Sequence, residues 1–461
     1  MRNTQTMKSI PRTQDLETCF EKYPLHSKEA TIKSDILRLG LRFSNAALKA
    51  CRGFQNRTYY LFSYDAAEAE QMGKQEMFQA PEHIKINGGR YGLRPTVTQV
   101  RLAPTSPYLV DIVDGKLMLC DDNPNVLLAE VKLRRPSKYY FMTLKDGTPY
   151  YKIVQEICWG YRAFITVLQD CQYWKDNRQC QFCDINANVK RLKSISPVVV
   201  FKSIDEIVEV CKAICTEDGT EPVLWQDEPA LGLPSAEAAP NESAEERRPR
   251  TFIIEGGTIT TQVGGMDDTA FYLNYVKAIK KAIGNRHELT LGIGAKPKEE
   301  MKRLYDAGVN VVLQDMEVWD EKMFNIICPG KAREMSRDEW VRRMIEAVDV
   351  FGEGNVQTAL VGGVEMAQPH GFKDIDSAVK STTEGMEYLM SNGVFPEIFI
   401  WNISPFSALA GHSPVPLEYY VRMNGNLIKL WKKYRMPVPA LSQPVGPGNS
   451  VYNQSPYIDA Y

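Results

Sequence analysis

Between about residue 160 and residue 405, short β-branched apolar runs alternate with amphipathic helical stretches, and no other feature of the chain limits its fold as strongly. The runs fall at 163–168, 252–255, 289–293, 310–315, 356–361 and 397–401. Most are apolar at successive positions, the pattern of parallel strands covered on both faces. Helix signals lie between them. Ser203-x-x-Glu206 and Ser336-x-x-Glu339 read as capping boxes, the second opening a helix that stops at Gly352. Pro297 suits the first turn of a helix ending at Gly308, and Gly284 and Gly393 suit the ends of two more. Six strand–helix units with right-handed crossovers predict an α/β fold, a partial (β/α)6 TIM-like barrel that stays open where eight units would close.

The flanks read differently. Residues 1–150 show no single period; Gly88-Gly89, Gly92 and Asp114-Gly115 punctuate short apolar runs. This predicts an N-terminal α+β accessory segment with a helix over 32–51 and no motif that carries chemistry. Residues 151–415 form the predicted barrel. Within them, 218–250 are rich in Pro, Ala, Glu and Ser and predict a disordered surface insertion. Residues 416–461 predict a C-terminal helix and a Pro-rich tail, with five prolines after Met436.

Composition narrows the function classes. The 461 residues are 44% hydrophobic and 24% charged, the balance of a globular chain. Lys+Arg total 55 against 57 for Asp+Glu, so no basic excess points to nucleic acid or an anionic membrane. No apolar run reaches the roughly 18 residues of a membrane span. The first residues lack the apolar core of a signal peptide. These features predict a cytoplasmic chain whose ten cysteines are not a disulfide framework.

Three of those cysteines, Cys171, Cys180 and Cys183, stand directly after the first predicted barrel strand. In barrels, loops after the C-terminal strand ends make the active site. Three thiolates on such a loop can bind a soft metal centre. A closed zinc site needs a fourth ligand. Cys158 is the nearest candidate but lies at the other end of the strand, about 15 Å or more away at ~3.3 Å per residue. Three cysteines and one open position fit a 4Fe-4S cluster whose fourth iron can take a small molecule. A structural zinc site and three unrelated reduced cysteines are the alternatives.

The loop resembles the cluster loop of the radical S-adenosylmethionine (radical SAM) superfamily. Its common form spaces the cysteines C-x3-C-x2-C, with an aromatic before the third. Here Phe182 takes the aromatic place, and the first gap is longer, from Cys171 to Cys180. The resemblance covers about 150–415. Within the superfamily, stretches 168–174, 181–183 and 328–333 look most like biotin-synthase-like proteins of uncharacterised reaction. The absence of a second close cysteine cluster counts against sulfur-insertion chemistry.

The resemblance implies two cofactors, a 4Fe-4S cluster on Cys171, Cys180 and Cys183 and S-adenosyl-L-methionine on the open iron. It implies electrons from a flavodoxin- or ferredoxin-type reductant. It also implies cleavage to methionine and a 5′-deoxyadenosyl radical that takes hydrogen from an unidentified small-molecule substrate. By the same resemblance Phe182 lies near adenine. Gly256, Gly257 and Thr258 match the superfamily's glycine-glycine-glutamate segment, which holds the methionine amino group, with Thr258 in place of the acid. Glu317, and less strongly Asp315, would bond the ribose hydroxyls or the amine. Gly362 and Gly363 would flank the base, and the stretch containing Ser404 would offer it backbone groups. Cys328, after the fourth strand, could donate a hydrogen atom or bind substrate; otherwise it is a packed cysteine, as Cys211 and Cys215 are expected to be. Two rival readings are a non-catalytic zinc- or cluster-binding scaffold or sensor, and a barrel hydrolase or lyase using Asp315, Glu317 and Glu365.

Overall fold

The computed structural model describes residues 12–54, 80–103, 105–193, 201–216, 250–438 and 445–461. Of the predicted insertion 218–250, all but Arg250 lies outside them.

The N-terminal segment is a six-stranded sheet. Its strands are β1 (Arg42–Phe43), β2 (His83–Gly88), β3 (Leu93–Gln99), β4 (Tyr108–Val113), β5 (Lys116–Asp121) and β6 (Asn123–Lys132). They are ordered β1-β4-β5-β6-β2-β3, antiparallel except for β1 beside β4. The single helix expected over 32–51 is instead two, Lys28–Leu39 and Asn45–Ala50. Gly40 divides them. Its φ of 76° ends the first helix, and a Cβ there would stand 2.6 Å from that of Ala103. The chain therefore leaves the helix and pairs as β1.

The second sheet has seven strands: β7 (Gln155–Ile157), β8 (Arg162–Leu168), β9 (Thr251–Gly256), β10 (Glu288–Gly292), β11 (Val311–Leu313), β12 (Val356–Gly362) and β13 (Val394–Ile400). β8 to β13 pair in sequence order, all parallel, with β7 antiparallel at the β8 edge. This is the predicted partial barrel, with every predicted run on a strand or at its end. Its helices bury their apolar faces against the strands; in Ile204–Cys215 these are Ile207, Val210, Cys211 and Ile214, with Cys215 half-buried.

Helix ends largely follow the sequence signals. The Ser203–Glu206 box is complete in both directions. The Ser336–Glu339 box is only half formed, because the Glu339 carboxylate is drawn to Arg342 and Arg343. Among the described residues, no helix is long and apolar enough to cross a membrane.

The tail is not a loose appendage. After the helix Leu417–Tyr434, residues 445–461 bridge the two strands that an open barrel leaves apart. Tyr452 and Tyr457 donate to Glu397 on β13 at 3.0 and 2.7 Å, and Ser455 donates to the Ile398 carbonyl. On the β8 side, the Arg162 guanidinium lies 4.4 Å from the centre of the Tyr452 ring, and the Cys158 thiol donates to Asn453 at 3.2 Å. Lys33 of the helix Lys28–Leu39 reaches the tail as well. It pairs with Asp459 at 2.6 Å, both side chains fully buried, and donates to the Tyr452 carbonyl.

Candidate active site

The barrel interior holds a cavity of about 300 Å³. It runs from the cysteine loop at the C-terminal strand ends to Arg162, the first residue of β8. Six residue steps separate Arg162 from Leu168, so the chamber is roughly 20 Å deep at ~3.3 Å per step.

Cys171, Cys180 and Cys183 all line its mouth. The loop that carries them is fixed from several sides. The Cys171 amide donates to Asn186 at 2.8 Å, and Asn186 in turn donates to Asp170. The Gln172 amide donates to the Thr258 carbonyl at 2.9 Å, and the Gln181 amide to the Ile327 carbonyl at 2.8 Å. The Tyr173 hydroxyl donates to Glu334 at 2.7 Å. Burial and then the neighbouring Cys180 push the Cys183 thiol well up, and burial also raises Cys171. Burial thus favours the protonated form of those two thiols, a preference that a bound metal centre would invert.

The donor set suits a cluster in kind, since soft thiolates hold iron–sulfur centres. Among the described residues, no three His, Cys, Asp or Glu side chains converge closely enough for a single metal ion.

Gly256, Gly257 and Thr258 line the mouth beside the loop. Gly257 is demanded by the loop itself: a Cβ there would come 2.2 Å from the Asp170 carbonyl oxygen and 2.6 Å from the Cys171 Cα. Phe182 and Ser404 also line the chamber, but the Ser404 hydroxyl is engaged with Asp184 at 2.7 Å.

Below the mouth the walls are acidic. Glu255, Asp315, Glu317 and Glu397 line the chamber with Arg162 and Lys331. Glu317 adopts φ 72° and pairs with Lys331 at 2.7 Å. Burial, then Asp315, Glu317 and Glu397, push Glu255 up to about 8. Burial and Glu317 likewise raise Asp315, whose carboxylate accepts from the Ala359 amide at 2.8 Å.

Three expected site residues stand outside the lining. Gly362 and Gly363 are turned away from the chamber; Ala359 and Val361 face it from β12. A Cβ at Gly362 would meet Ile398 at 2.9 Å, and one at Gly363 would meet Val415 at 2.7 Å, so these glycines serve packing. Cys328 is fully buried and also outside the lining, which removes its expected contact with substrate. Its thiol lies instead against Cys180. Glu365, the third carboxylate of the hydrolase reading, is buried and consumed by the Gly363 amide and the Thr382 and Tyr419 hydroxyls.

Sequence reasoning missed the far end of the chamber. Arg162, Glu397, Tyr452 and Gln454 meet there from β8, β13 and the tail. No spacing rule links them. The one available signal was a buried-type strand carrying a charge, Arg162 at the head of an otherwise apolar run and Glu397 inside another.

No family model matches the chain. A bacteriochlorophyllide c C-7(1)-hydroxylase of Chlorobaculum limnaeum is 26% identical over 163 residues, 35% of this chain and 37% of that protein. The matched stretch thus spans well under half of that relative's own length. Among solved structures, methylornithine synthase is 16% identical, with 64% of this chain and 72% of that chain covered and a TM-score of 0.39. HydG, a maturase of the [FeFe]-hydrogenase, is 12% identical, with 59% and 49% covered and a TM-score of 0.36. OxsB, a cobalamin-dependent S-adenosylmethionine radical enzyme, is 9% identical, with 76% and 44% covered and a TM-score of 0.30. The chain is similar to these enzymes, and its cysteine loop resembles that of the radical SAM superfamily.

Proposed function

We propose that the chain is a radical SAM enzyme acting on a small molecule held below the mouth of the barrel. The observation that carries this reading is the placement of Cys171, Cys180 and Cys183 together at one end of a deep chamber that the strand ends surround. When bound there, a 4Fe-4S cluster supplies the electron that cleaves S-adenosylmethionine to methionine and a 5′-deoxyadenosyl radical.

The chain's own part is to hold and shield. The three thiolates ligate. Gly257, without a side chain, lets backbone approach the loop closely enough to present its polar groups to the methionine end of the nucleotide. Glu317 and Phe182 line the chamber; in this reading Glu317 accepts hydroxyl hydrogens from a ribose and Phe182 covers the base. The tail closes the open side of the barrel and keeps water from the reacting centre. A flavodoxin- or ferredoxin-type protein is the expected reductant, and the cytoplasm the expected compartment.

The test is spectroscopic. Adding S-adenosylmethionine to the reconstituted, reduced protein should change the cluster's electron paramagnetic resonance spectrum, because the ligand meets the open iron. An unchanged spectrum contradicts the reading.

One observation favours a second reading. Cys328 beside Cys180 makes a fourth thiol available, as a closed zinc or cluster scaffold would require. That reading expects no spectral response to the nucleotide and loss of metal when Cys328 is replaced.

A further inference from the structure

Cys328 sits where two short helices meet, Glu321–Ile327 and Pro329–Glu334. Pro329 cannot continue the first helix, so the chain turns at Cys328 with φ −120° and ψ 56°. The turn is pressed onto the cysteine loop. The Gln181 amide donates to the Ile327 carbonyl at 2.8 Å, which sets Cys328 beside Cys180. Gly330 leaves no gap: a Cβ there would stand 2.4 Å from the Tyr173 ring and 2.6 Å from the Arg178 carbonyl oxygen. The Cys328 side chain is fully buried and does not line the chamber. It stands beside a residue of the candidate ligand set, out of reach of nucleotide and substrate.

A thiol in that place can serve the sulfur of Cys180. The S–H is a weak donor, and a metal-bound thiolate is a good acceptor. Reduction of a cluster adds negative charge that spreads onto its thiolates. A hydrogen bond to one of them stabilises the reduced form more than the oxidised one and raises the reduction potential.

We propose that Cys328 is a positioning residue of the cluster, donating its thiol hydrogen to the Cys180 sulfur and holding the cluster's potential up. This rests on the radical SAM reading of the same loop. It assigns Cys328 neither to the ligand set nor to hydrogen-atom transfer.

The experiment uses the full chain, reconstituted without oxygen, with Cys328→Ser, Cys328→Ala and Cys328→Val. Iron and sulfide are counted, and the midpoint potential is read by redox titration. The expected result is native iron content in all three. The potential should fall in the Ala and Val variants and stay near native in Ser, whose hydroxyl keeps the hydrogen bond. Val fills the space that Ala leaves, so a shift shared by both is not a cavity effect. An unchanged potential in Ala and Val overturns the proposal and leaves Cys328 as packing. Loss of iron in Ala and Val overturns it differently, making Cys328 a ligand. A native protein that takes up no iron defeats the underlying reading rather than this one.

Discussion

At the mouth of the chamber, the three thiols come from a single thirteen-residue stretch, held in shape by backbone hydrogen bonds to the neighbouring strand ends. At the far end, Arg162, Glu397 and Tyr452 come from three segments far apart in the chain and meet only because the barrel is open and the tail crosses the opening. A local stretch can carry a ligand set by spacing alone. A floor assembled over such separations requires the fold first. The two ends should therefore fail independently, and each prediction below tests that separation.

The largest effect is expected at the mouth. Cys180→Ala should leave no cluster after anaerobic reconstitution, because two thiolates do not hold it, while the apo protein unfolds as the native one does. Iron retained at the native level would break the assignment.

The next effect belongs to the floor. Lys33→Met strands the Asp459 carboxylate in a fully buried site. Removing one partner of such a pair costs about 3–5 kcal/mol. Denaturant unfolding of the apo protein should show that loss, with unchanged iron stoichiometry in the folded fraction. A loss under about 1 kcal/mol would mean that the tail is not a fastening.

Gly257→Ala sharpens the comparison at the junction of strand and loop. Overpacking of this kind costs about 1–3 kcal/mol. Because the clash is with Asp170 and Cys171, the loop should shift and cluster occupancy should fall as well. Full occupancy after that substitution would show that the loop tolerates displacement.

The smallest effect depends on pH. In the fold Glu255 titrates near about 8, well above its ordinary 4.5, so folding favours its protonated form. The stability this carboxyl allows is complete below its ordinary value and declines as pH rises toward the folded one. Gln stays neutral throughout. Glu255→Gln in the apo protein should therefore match the native melting temperature near about pH 4 and exceed it above about pH 8, by the equivalent of about 1–2 kcal/mol given the partial exposure of Glu255. A pH-independent difference would contradict the burial of that charge.

Much of this was readable before the structure. All six barrel strands were legible as short β-branched runs, most of them apolar on both faces, and the cysteine spacing pointed to the loop that lines the chamber's mouth. The misreadings share a cause. Gly362 and Gly363 looked like base-flanking glycines, but a strand's faces alternate and Ala359 and Val361 take the chamber side from Gly362, while Gly363 lies past the strand's end in a turn with φ 99°. Cys328 was placed on the right side of the barrel, yet only the Gln181–Ile327 hydrogen bond shows that it meets Cys180 rather than the chamber. The 32–51 helix breaks at Gly40 because Ala103, 63 positions on, occupies the space a continuing side chain would need. The tail's prolines read as irregular chain; that it bridges β13 and β8 is a property of the gap between them.

The most direct measurement is made on protein purified and reconstituted without oxygen. Iron and sulfide are counted, dithionite and S-adenosylmethionine are added, and 5′-deoxyadenosine is assayed. The account predicts about four irons per chain and formation of that product. A colourless protein carrying zinc, with no cleavage of the nucleotide, would contradict it.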